Sequence, residues 1–284
     1  MTKSTIIFDN IKNILSHSGT INHWVVQSLT NFSSKDITED SRTVYSRSCM
    51  INWMLLTKLL GIPSINKSVG GQWETLIKCG KDVMYKIKNS PMINWRSLML
   101  NHAWKSMEGI ELSEQNGRSV TEIPCFIIDD TDMVKRGKCI ECIGRIFSHV
   151  NHSYPIGYKS LNLSYWSGKH LLHVDFSLHS EMGKKKKQGM KSKELKRRYC
   201  KQRRKDSPGQ KRISELLKKK TKCALDMISR AIKKGFKSQY ILADSWFFNT
   251  EMVSYAIKHK LHLISRPKFN NWNITTHITD TTRN

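Results

Sequence analysis

Apolar residues recur at helical spacing in the first part of the chain. Ile7, Ile11 and Ile14 lie three or four positions apart, as residues on one face of a helix do. The stretch Ser48–Leu60 is apolar almost all round, which predicts a buried helix. The turn-forming residues Gly61–Pro63 then end that helix.

Two further helices are predicted before residue 120. They cover about Gln72–Lys88 and about Pro91–Glu108, with Ser90 as the N-cap of the second helix and Gly109 as its end. Together these elements predict an all-helical N-terminal domain over residues 1–119. Such a module either reads DNA ends or serves only for packing.

From residue 120 the pattern changes to alternating strands and helices. The predicted order is strand, strand, strand, helix, strand, helix, strand. This succession resembles the ribonuclease H-like order, in which the first and fourth strands lie side by side at the centre of a mixed α/β sheet with flanking helices. The predicted elements are the strands Cys125–Ile128, Arg145–Val150 and His170–Leu178, a helix over Leu225–Gly235, the strand Tyr240–Asp244, the helix Asn249–His259 and the strand Leu261–Ile264.

Alternation along the third predicted strand assigns its two faces. Val174, Phe176 and Leu178 fall on the apolar face, and Asp175 falls on the polar one. We expect Asp175 to form hydrogen bonds within the fold.

Aspartate residues lie at the carboxyl ends of the first and fourth predicted strands. Asp129, Asp130 and Asp132 follow Ile128, and Asp244 ends the fourth strand. Since successive side chains of a strand alternate sides, Asp129 and Asp130 point to opposite faces. The alternative is that the acidic run only begins a turn.

Two carboxylates that meet at one edge of a sheet suit metal-dependent chemistry on phosphodiesters. Two Mg²⁺ ions about 4 Å apart activate a water or 3′ hydroxyl and stabilise the leaving oxygen, and Mg²⁺ prefers oxygen ligands. Asp129 and Asp244 are the predicted catalytic residues and shared metal ligands, and Asp130 is the alternative for the first acid. We expect Mn²⁺ to substitute for Mg²⁺.

The charge of the chain points to a polyanionic partner. There are 48 Lys and Arg residues against 23 Asp and Glu, a net charge of +25, which favours nucleic acid over an anionic membrane. The segment Gly183–Lys222 holds 19 basic and three acidic residues, and charge this dense must be solvated or contact phosphates. The predicted DNA contacts are Lys135, Arg136, Lys138, Lys184, Lys185, Lys186, Lys187, Arg197, Arg198, Arg203 and Arg204.

Hydropathy and cysteine content predict a soluble cytoplasmic protein. No segment approaches the roughly 18 apolar residues that a membrane span needs, and the N-terminus has no apolar signal-peptide core. Seven scattered cysteines fit reduced thiols. Cys139 and Cys142 with His149 and His152 form a weaker zinc candidate, for which two reduced thiols are the simpler interpretation.

Two aromatic residues directly follow the second predicted acid. Trp246 and Phe247 could stack on a flipped base or wedge a DNA end. Core packing under the following helix is the favoured interpretation.

Several motifs, in the right order, resemble the DDE transposases of bacterial insertion sequences, of the insertion-sequence-four type. The likeness runs from about residue 90 to 268. It implies a catalytic core over residues 120–269 with a basic insertion at 183–222. The motifs are Ile127–Asp132, the Lys-x-Gly-Lys turn at 135–138, Ser148–Val150, Asp175–His179 and Ala243–Phe247.

The resemblance also implies a function. It implies a nucleoid-associated bacterial enzyme that binds terminal inverted repeats and target DNA as a homodimer and carries out Mg²⁺-dependent cut-and-paste transfer. The first acid of the family falls at Asp129 and the second at Asp244.

The family's third acid, a Glu in a Tyr-x₂-Arg-x₃-Glu-x₆-Lys helix, has no counterpart here, and the last Glu is Glu251. The polar tail 270–284 begins where the family carries an insertion, so we expect a truncated catalytic segment and a chain that binds DNA but cleaves it poorly. The rival interpretations are a non-catalytic nucleic-acid-binding protein and a ribonuclease H-like nuclease.

Overall fold

The computed structural model describes residues 37, 45–70, 73, 79–113, 123–137 and 139–266. The helix predicted around Ile6–Leu15, the predicted DNA contact Lys138 and the polar tail 270–284 lie outside the described residues. The helices before the sheet are α1 (Arg47–Leu59), α2 (Lys81–Lys88) and α3 (Trp95–Ser113), with a 3₁₀ turn at Ile65–Ser68.

α1 corresponds to the buried helix predicted over Ser48–Leu60. Ser46 caps it, because its hydroxyl accepts the backbone N–H of Cys49 at 3.0 Å. Gly61 follows the helix with φ of 68°, a conformation that glycine adopts without a steric penalty. Trp53 of α1 is 1% exposed, so the helix is buried as predicted.

α3 begins later and ends later than predicted. Asn94 caps its first turn in place of Ser90, since Oδ1 of Asn94 accepts the N–H of Ser97 at 3.2 Å. The helix then runs through Gly109, where the sequence predicted its end. A glycine costs about 1 kcal/mol inside a helix, and the burial of residues such as Met107, 5% exposed, outweighs that cost.

A six-stranded mixed sheet follows α3. Its strands are β1 (Cys125–Val134), β2 (Gly144–Arg145), β3 (Ile156–Trp166), β4 (Leu171–His179), β5 (Tyr240–Ala243) and β6 (His262–Ile264). β3 pairs with β1 along one edge and with β2 and β4 along the other. β1 is antiparallel to β3 and parallel to β5, which is parallel to β6. The first and fourth predicted strands therefore lie side by side, as the predicted topology requires.

The second long strand is β3, which the sequence analysis did not predict. The strand predicted over Arg145–Val150 is only the two-residue β2, followed by an isolated bridge between Ser148 and Ser153. Polar residues such as Lys159 and Asn162 interrupt the apolar pattern of β3. Lys159 is nonetheless only 6% exposed, because contacts distant in sequence bury it.

β4 corresponds to the third predicted strand, but its faces differ from the prediction. The register with β3 shifts between Leu163 and Ser164, and such an irregularity reverses the alternation of side chains. As a result Val174 and Asp175 are both 0% exposed, and Ser177 is 1% exposed. Asp175 is thus an interior residue and not a residue of a polar face.

The helix α6 (Lys220–Lys234) packs against the core face of the sheet. Met227 of α6 is 0% exposed and shares one hydrophobic core with Phe126 and Ile128 of β1. The helix ends at Gly235, as predicted, and a Cβ at Gly235 would lie 2.5 Å from the ring of Trp104.

The helices after β4 are α4 (Ser192–Leu195), α5 (Pro208–Ser214), α6 (Lys220–Lys234) and α7 (Thr250–Lys258), with a 3₁₀ turn at Ser245–Phe247. No helix in the described part of the chain combines the length and apolarity needed to cross a bilayer.

The basic segment Gly183–Lys222 is partly built into the fold. It contains α4, α5 and the start of α6. Met190 and Leu216 are 5% and 6% exposed and pack in a small core with Tyr158 of β3. Apolar residues of the segment are therefore packed into the fold, while basic residues such as Lys184 and Lys191 stay exposed.

A buried carboxylate joins α3 and α6 to the sheet. Asp175 of β4 lies 2.8 Å from Nε of Arg96 and 2.8 Å from Nη2 of Arg230. Arg96 also contacts Glu215 at 2.5 Å. Burial raises the pKa of Asp175, and the two guanidinium groups act against this shift. The expected hydrogen bonding of Asp175 within the fold is present.

Replacing Asp175 with alanine leaves two guanidinium groups without their buried partner. We expect Asp175→Ala to lower the free energy of unfolding by about 3–5 kcal/mol, measured by urea denaturation followed by circular dichroism. Asp206→Ala is the matched control, because Asp206 forms an exposed pair with Arg204. Equal unfolding midpoints for the two variants would contradict this role of Asp175.

Candidate active site

The structure brings the two predicted acids to neighbouring backbone positions. Asp129 follows Ile128 in β1, and Asp244 follows Ala243 at the end of β5. Ile128 and Ala243 are direct partners in the parallel ladder of β1 and β5. Neighbouring strands lie about 4.8 Å apart, so the residues after these partners are adjacent.

Asp129 and Asp130 leave β1 on opposite faces. Ile128 is 1% exposed and faces the core, and alternation places Asp130 on that same face. Asp129 lies on the other face. On β5, Leu242 is 41% exposed and turned away from the core, and alternation places Asp244 on its side. Asp129 and Asp244 therefore share one face of the sheet.

The carboxylates of Asp129 and Asp244 fit the requirements of a divalent cation. Oδ1 of Asp129 accepts the backbone N–H of Asp130 at 2.8 Å, and Oδ1 of Asp244 accepts that of Ser245 at 2.6 Å. Within the residues that the structure describes, neither carboxylate forms an ion pair with a basic side chain. Both acids are exposed and keep oxygen lone pairs for a hard cation such as Mg²⁺.

Lysines neutralise the other two acids of β1. Oδ2 of Asp130 lies 2.5 Å from Nζ of Lys220, the first residue of α6. Oδ1 of Asp132 lies 2.9 Å from Nζ of Lys159. Burial acts to raise the pKa of Asp132, but hydrogen bonds from Lys159 and Ser148 hold it below its ordinary value. The ammonium group of Lys220 already pairs with the Asp130 carboxylate. This ion pair favours Asp129, which has no such partner among the described residues, as the first acid.

A neutral histidine lies buried beside these groups. His179, the last residue of β4, is 3% exposed. Burial and then the charge of Lys220 lower its pKa to about 4, although Glu215 and Asp130 act in the opposite direction. The imidazole is therefore uncharged at neutral pH.

Acid should destabilise the protein through His179. A histidine has an ordinary pKa of 6.5, and this one has a pKa of about 4 in the folded state. The stabilisation is present above pH 6.5 and is lost as the pH falls towards 4, because the unfolded chain binds the proton first. We expect a loss of about 2 kcal/mol between pH 7 and pH 5, measured by urea unfolding.

His179→Gln should remove that part of the pH dependence, whereas His170→Gln, at an exposed position, should retain it. An unchanged pH dependence in His179→Gln would contradict the assignment.

Four consecutive lysines, Lys184–Lys187, form an exposed turn after β4. The N–H of Gln188 donates to the carbonyl of Met182 at 2.7 Å and closes the turn. Because β4 and β1 are both antiparallel to β3, the turn follows the same end of the sheet that carries Asp129 and Asp244. It is the most compact group of predicted DNA contacts.

Four other predicted DNA contacts remain at or near the surface. Arg136, Arg197 and Arg204 are exposed, and Lys135 is half-buried. Arg204 already pairs with Asp206 at 2.8 Å. An exposed pair of this kind contributes little energy, so a phosphate can replace the carboxylate.

The guanidinium groups of Arg198 and Arg203 are not free, because both bind partners within the chain. Nε of Arg198 donates to the carbonyl of Ile143 at 3.2 Å, and its Nη1 donates to Gln188 at 3.1 Å. Arg203 forms a two-pronged ion pair with Glu141. The structure therefore gives these two arginines a role in holding the basic segment against the loop between β1 and β2.

The lysine turn should contribute strongly to the salt dependence of DNA binding. Replacing Lys184–Lys187 with glutamine removes four charges, and we expect the slope of log K against log salt to become shallower by about 3 to 4. Fluorescence anisotropy with labelled duplex DNA over a salt series measures this slope.

A matched control removes four exposed lysines at the amino ends of β5 and β6, away from the acids. It should change the slope much less, and equal changes in the two variants would contradict the proposed surface. The control positions are Lys233, Lys237, Lys258 and Lys260.

All seven cysteines are free thiols in the structure. Among the described residues, the group that could hold a metal is Glu141, Cys142 and Cys200, with ligand atoms within 4.8 Å of one another. Neither histidine of the zinc candidate belongs to this group. Burial, followed by the Cys200 thiol, raises the pKa of Cys142 to about 11, and Glu141 is already paired with Arg203. Within the described residues, the zinc candidate Cys139, Cys142, His149 and His152 is therefore not assembled.

Trp246 and Phe247, in the 3₁₀ turn after β5, have opposite environments. Phe247 is 1% exposed, whereas Trp246 is 48% exposed. The favoured interpretation of core packing holds for Phe247 and is wrong for Trp246. Nζ of Lys220 lies 5.3 Å from the centre of the Trp246 ring, and the same ammonium group pairs with Asp130.

A comparison with models of protein families finds a match to the part of the chain that carries these acids. The model of a DDE superfamily endonuclease covers residues 111–270, which is more than half of the chain. The chain belongs to the DDE superfamily of endonucleases. The search of curated proteins found no match. The chain is therefore assigned to a class of nucleic-acid-cleaving enzymes that typically use divalent metal ions, to which the free carboxylates of Asp129 and Asp244 are suited.

Sequence reasoning missed two lysines of this DDE endonuclease that neutralise acids beside the site. Lys220 was assigned to the basic segment, and Lys159 stands in the strand that was not predicted. Their partners Asp130 and Asp132 are 90 and 27 residues away in sequence. No local pattern carries information about such pairs.

Proposed function

We propose that the chain is a DNA transposase of the insertion-sequence-four type with a ribonuclease H-like core. It binds terminal inverted repeats and target DNA, and it carries out metal-dependent cleavage and strand transfer. The observation that supports this most directly is the pairing of Ile128 with Ala243, because it sets Asp129 and Asp244 side by side. The order of the sequence motifs favours a transposase over other endonucleases.

In this proposal each group near the site has a separate task. Asp129 and Asp244 are the oxygen ligands of the metal ions. A divalent ion held there, Mg²⁺ or Mn²⁺, would supply activation of a water or 3′ hydroxyl and stabilisation of the leaving oxygen. Lys220 keeps Asp130 neutralised on the opposite face. Lys184–Lys187 contact the phosphate backbone, which positions a duplex without reading its sequence.

The proposed domain organisation likewise assigns DNA binding and catalysis to different parts of the chain. In this proposal residues 1–119 bind DNA ends, and residues 120–269 are the catalytic core with the basic insertion 183–222. Since transposition brings two element ends together, we propose a homodimer on DNA.

Metal binding tests the assignment of the acids. We expect Asp129→Asn and Asp244→Asn each to weaken Mn²⁺ binding by at least about tenfold, a loss found even for residues that only support a metal ligand. Electron paramagnetic resonance of free Mn²⁺ in the presence of duplex DNA measures the affinity. DNA binding itself should remain or become tighter, because a repulsive charge is removed.

Two further variants make this experiment decisive. Asp82→Asn, at an exposed position of α2, is the control and should bind Mn²⁺ as the unchanged chain does. Asp130→Asn should also retain binding. Loss of binding in Asp130→Asn and not in Asp129→Asn would assign the first acid to Asp130.

The reaction product separates the proposal from its alternatives. With donor duplexes and a supercoiled plasmid in Mn²⁺, we expect joined DNA with the unchanged chain and no joined DNA with Asp244→Asn. Hydrolysis without joining would indicate a nuclease of the same fold. DNA binding without product and without Mn²⁺ binding would indicate a non-catalytic nucleic-acid-binding protein.

A further inference from the structure

A cavity of about 480 Å³ lies where three parts of the molecule meet. One wall is the connection between α2 and α3, at Pro91, and another comes from residues 199–216 of the basic segment. The third wall is the sheet, at Tyr158 of β3 and Phe176 of β4. The volume is within the range of pockets that hold small organic ligands.

The lining of this cavity is strongly basic. Among the described residues it contains six basic side chains and one acid, Glu141. Arg203 already forms a two-pronged ion pair with Glu141. The cavity therefore carries an excess of positive charge, which attracts an anion. The six basic residues are Lys88, Arg96, Lys135, Lys201, Arg203 and Arg212.

Arg212 of α5 is a half-buried cation in this lining. Its Nη1 donates to the carbonyl of Ile93 at 3.3 Å, and no carboxylate in the described part of the chain forms an ion pair with it. Burial lowers the pKa of Arg212, and the charges of Arg96 and Arg203 lower it further. Glu215 acts in the opposite direction. Because a buried charge without a charged partner is costly, an anion in the cavity would stabilise this guanidinium group.

Hydrogen bonds between distant parts of the chain hold the walls around Arg212 in place. The N–H of Gly209 donates to the carbonyl of Pro91 at 2.8 Å, which joins α5 to the connection between α2 and α3. Nη2 of Arg96 donates to the carbonyl of Phe176 at 2.9 Å, which joins α3 to β4. The cavity therefore exists before a ligand arrives, and this reduces the entropy lost on binding.

Tyr199 gives the cavity an accessible aromatic side chain. The residue is 43% exposed and lines the cavity. Its carbonyl accepts the N–H of Cys142 at 2.9 Å, which holds this part of the backbone against the loop between β1 and β2. An aromatic ring carried on such a wall can pack against a planar group of a ligand.

We propose that this cavity binds a small phosphate ester that carries a planar ring. The phosphate group lies against Arg212, and the ring lies against Tyr199. Among the described residues Arg212, Lys88 and Lys201 have no acidic partner, and several cations favour a phosphate monoester, whose charge approaches −2, over a singly charged carboxylate. The site does not depend on the proposed transposase function, because neither DNA nor a metal ion takes part in it.

Titration of the full chain with phenyl phosphate tests this site. Isothermal titration calorimetry without DNA or divalent ions, at constant ionic strength, gives the affinity, and inorganic phosphate is titrated in parallel. We expect both to bind, with phenyl phosphate about fivefold tighter, the effect of one aromatic contact. Absence of phenyl phosphate binding, or equal affinities for the two compounds, would overturn the proposal.

Variants assign the two parts of the ligand to their walls. Arg212→Gln should weaken the binding of both compounds by at least about tenfold, because a charge-assisted hydrogen bond is lost. Tyr199→Ala should weaken only the binding of phenyl phosphate. Arg197→Gln is the matched control and should bind both compounds as the unchanged chain does, since Arg197 is an exposed arginine of the same segment that does not line the cavity.

A second charged position keeps the test valid if Arg212→Gln does not fold. Lys201 is exposed and lines the cavity, so Lys201→Gln should fold and should weaken the binding of both compounds several-fold. Unchanged affinities in Arg212→Gln, or in Lys201→Gln where Arg212→Gln does not fold, would contradict the site.

A competition experiment separates this site from a DNA-binding surface. We expect the affinity for phenyl phosphate to stay the same when duplex DNA is added. Displacement of phenyl phosphate by the duplex would instead assign the cavity to DNA binding and refute the proposal.

Discussion

The parallel pairing of β1 with β5 is the constraint on which the candidate site depends. Ile128 and Ala243 are partners, and both turn towards the core, where Ile128 is 1% and Ala243 7% exposed. Packing of α6 on that face fixes the register, because a slip of one residue would send every buried side chain to the other face. The same register gives Asp129 and Asp244 a common face. Hydrophobic burial thus positions two charged groups that do not contribute to it.

Ion pairs then determine the electrostatic state of the residues around this pairing. Asp175 links α3 and α6 to β4 through two arginines, and it keeps the helices on the core face. Lys220 links α6 to Asp130 and also lies over Trp246. These contacts neutralise acids near the site and leave Asp129 and Asp244 without a basic partner among the described residues. The charge pattern therefore separates the two carboxylates that lack a basic partner in the described part of the chain from those that are paired.

The basic segment combines two functions that composition alone does not separate. Some of its guanidinium groups, such as those of Arg198 and Arg203, bind backbone or carboxylate oxygens and hold the segment against the loop between β1 and β2. Others, above all Lys184–Lys187, remain exposed at the end of the sheet that carries the acids. An exposed charge there attracts a phosphate backbone towards the site, whereas a neutralised one only stabilises the fold. Under the proposed function, the exposed group is the DNA surface.

The sequence by itself determined the elements with strong local patterns, α1, α6, α7, β1, β4, β5 and β6, and the acids that follow Ile128 and Ala243. Periodicity and turn residues encode these features within a few positions of the chain. Only the tertiary structure decided the existence of β3, the interior position of Asp175 and the exposure of Trp246. Each of these depends on partners that are distant in sequence, such as the ion pairs of Asp175 with Arg96 and Arg230. Local spacing carries no information about such contacts, and for that reason they appear only when the chain is folded.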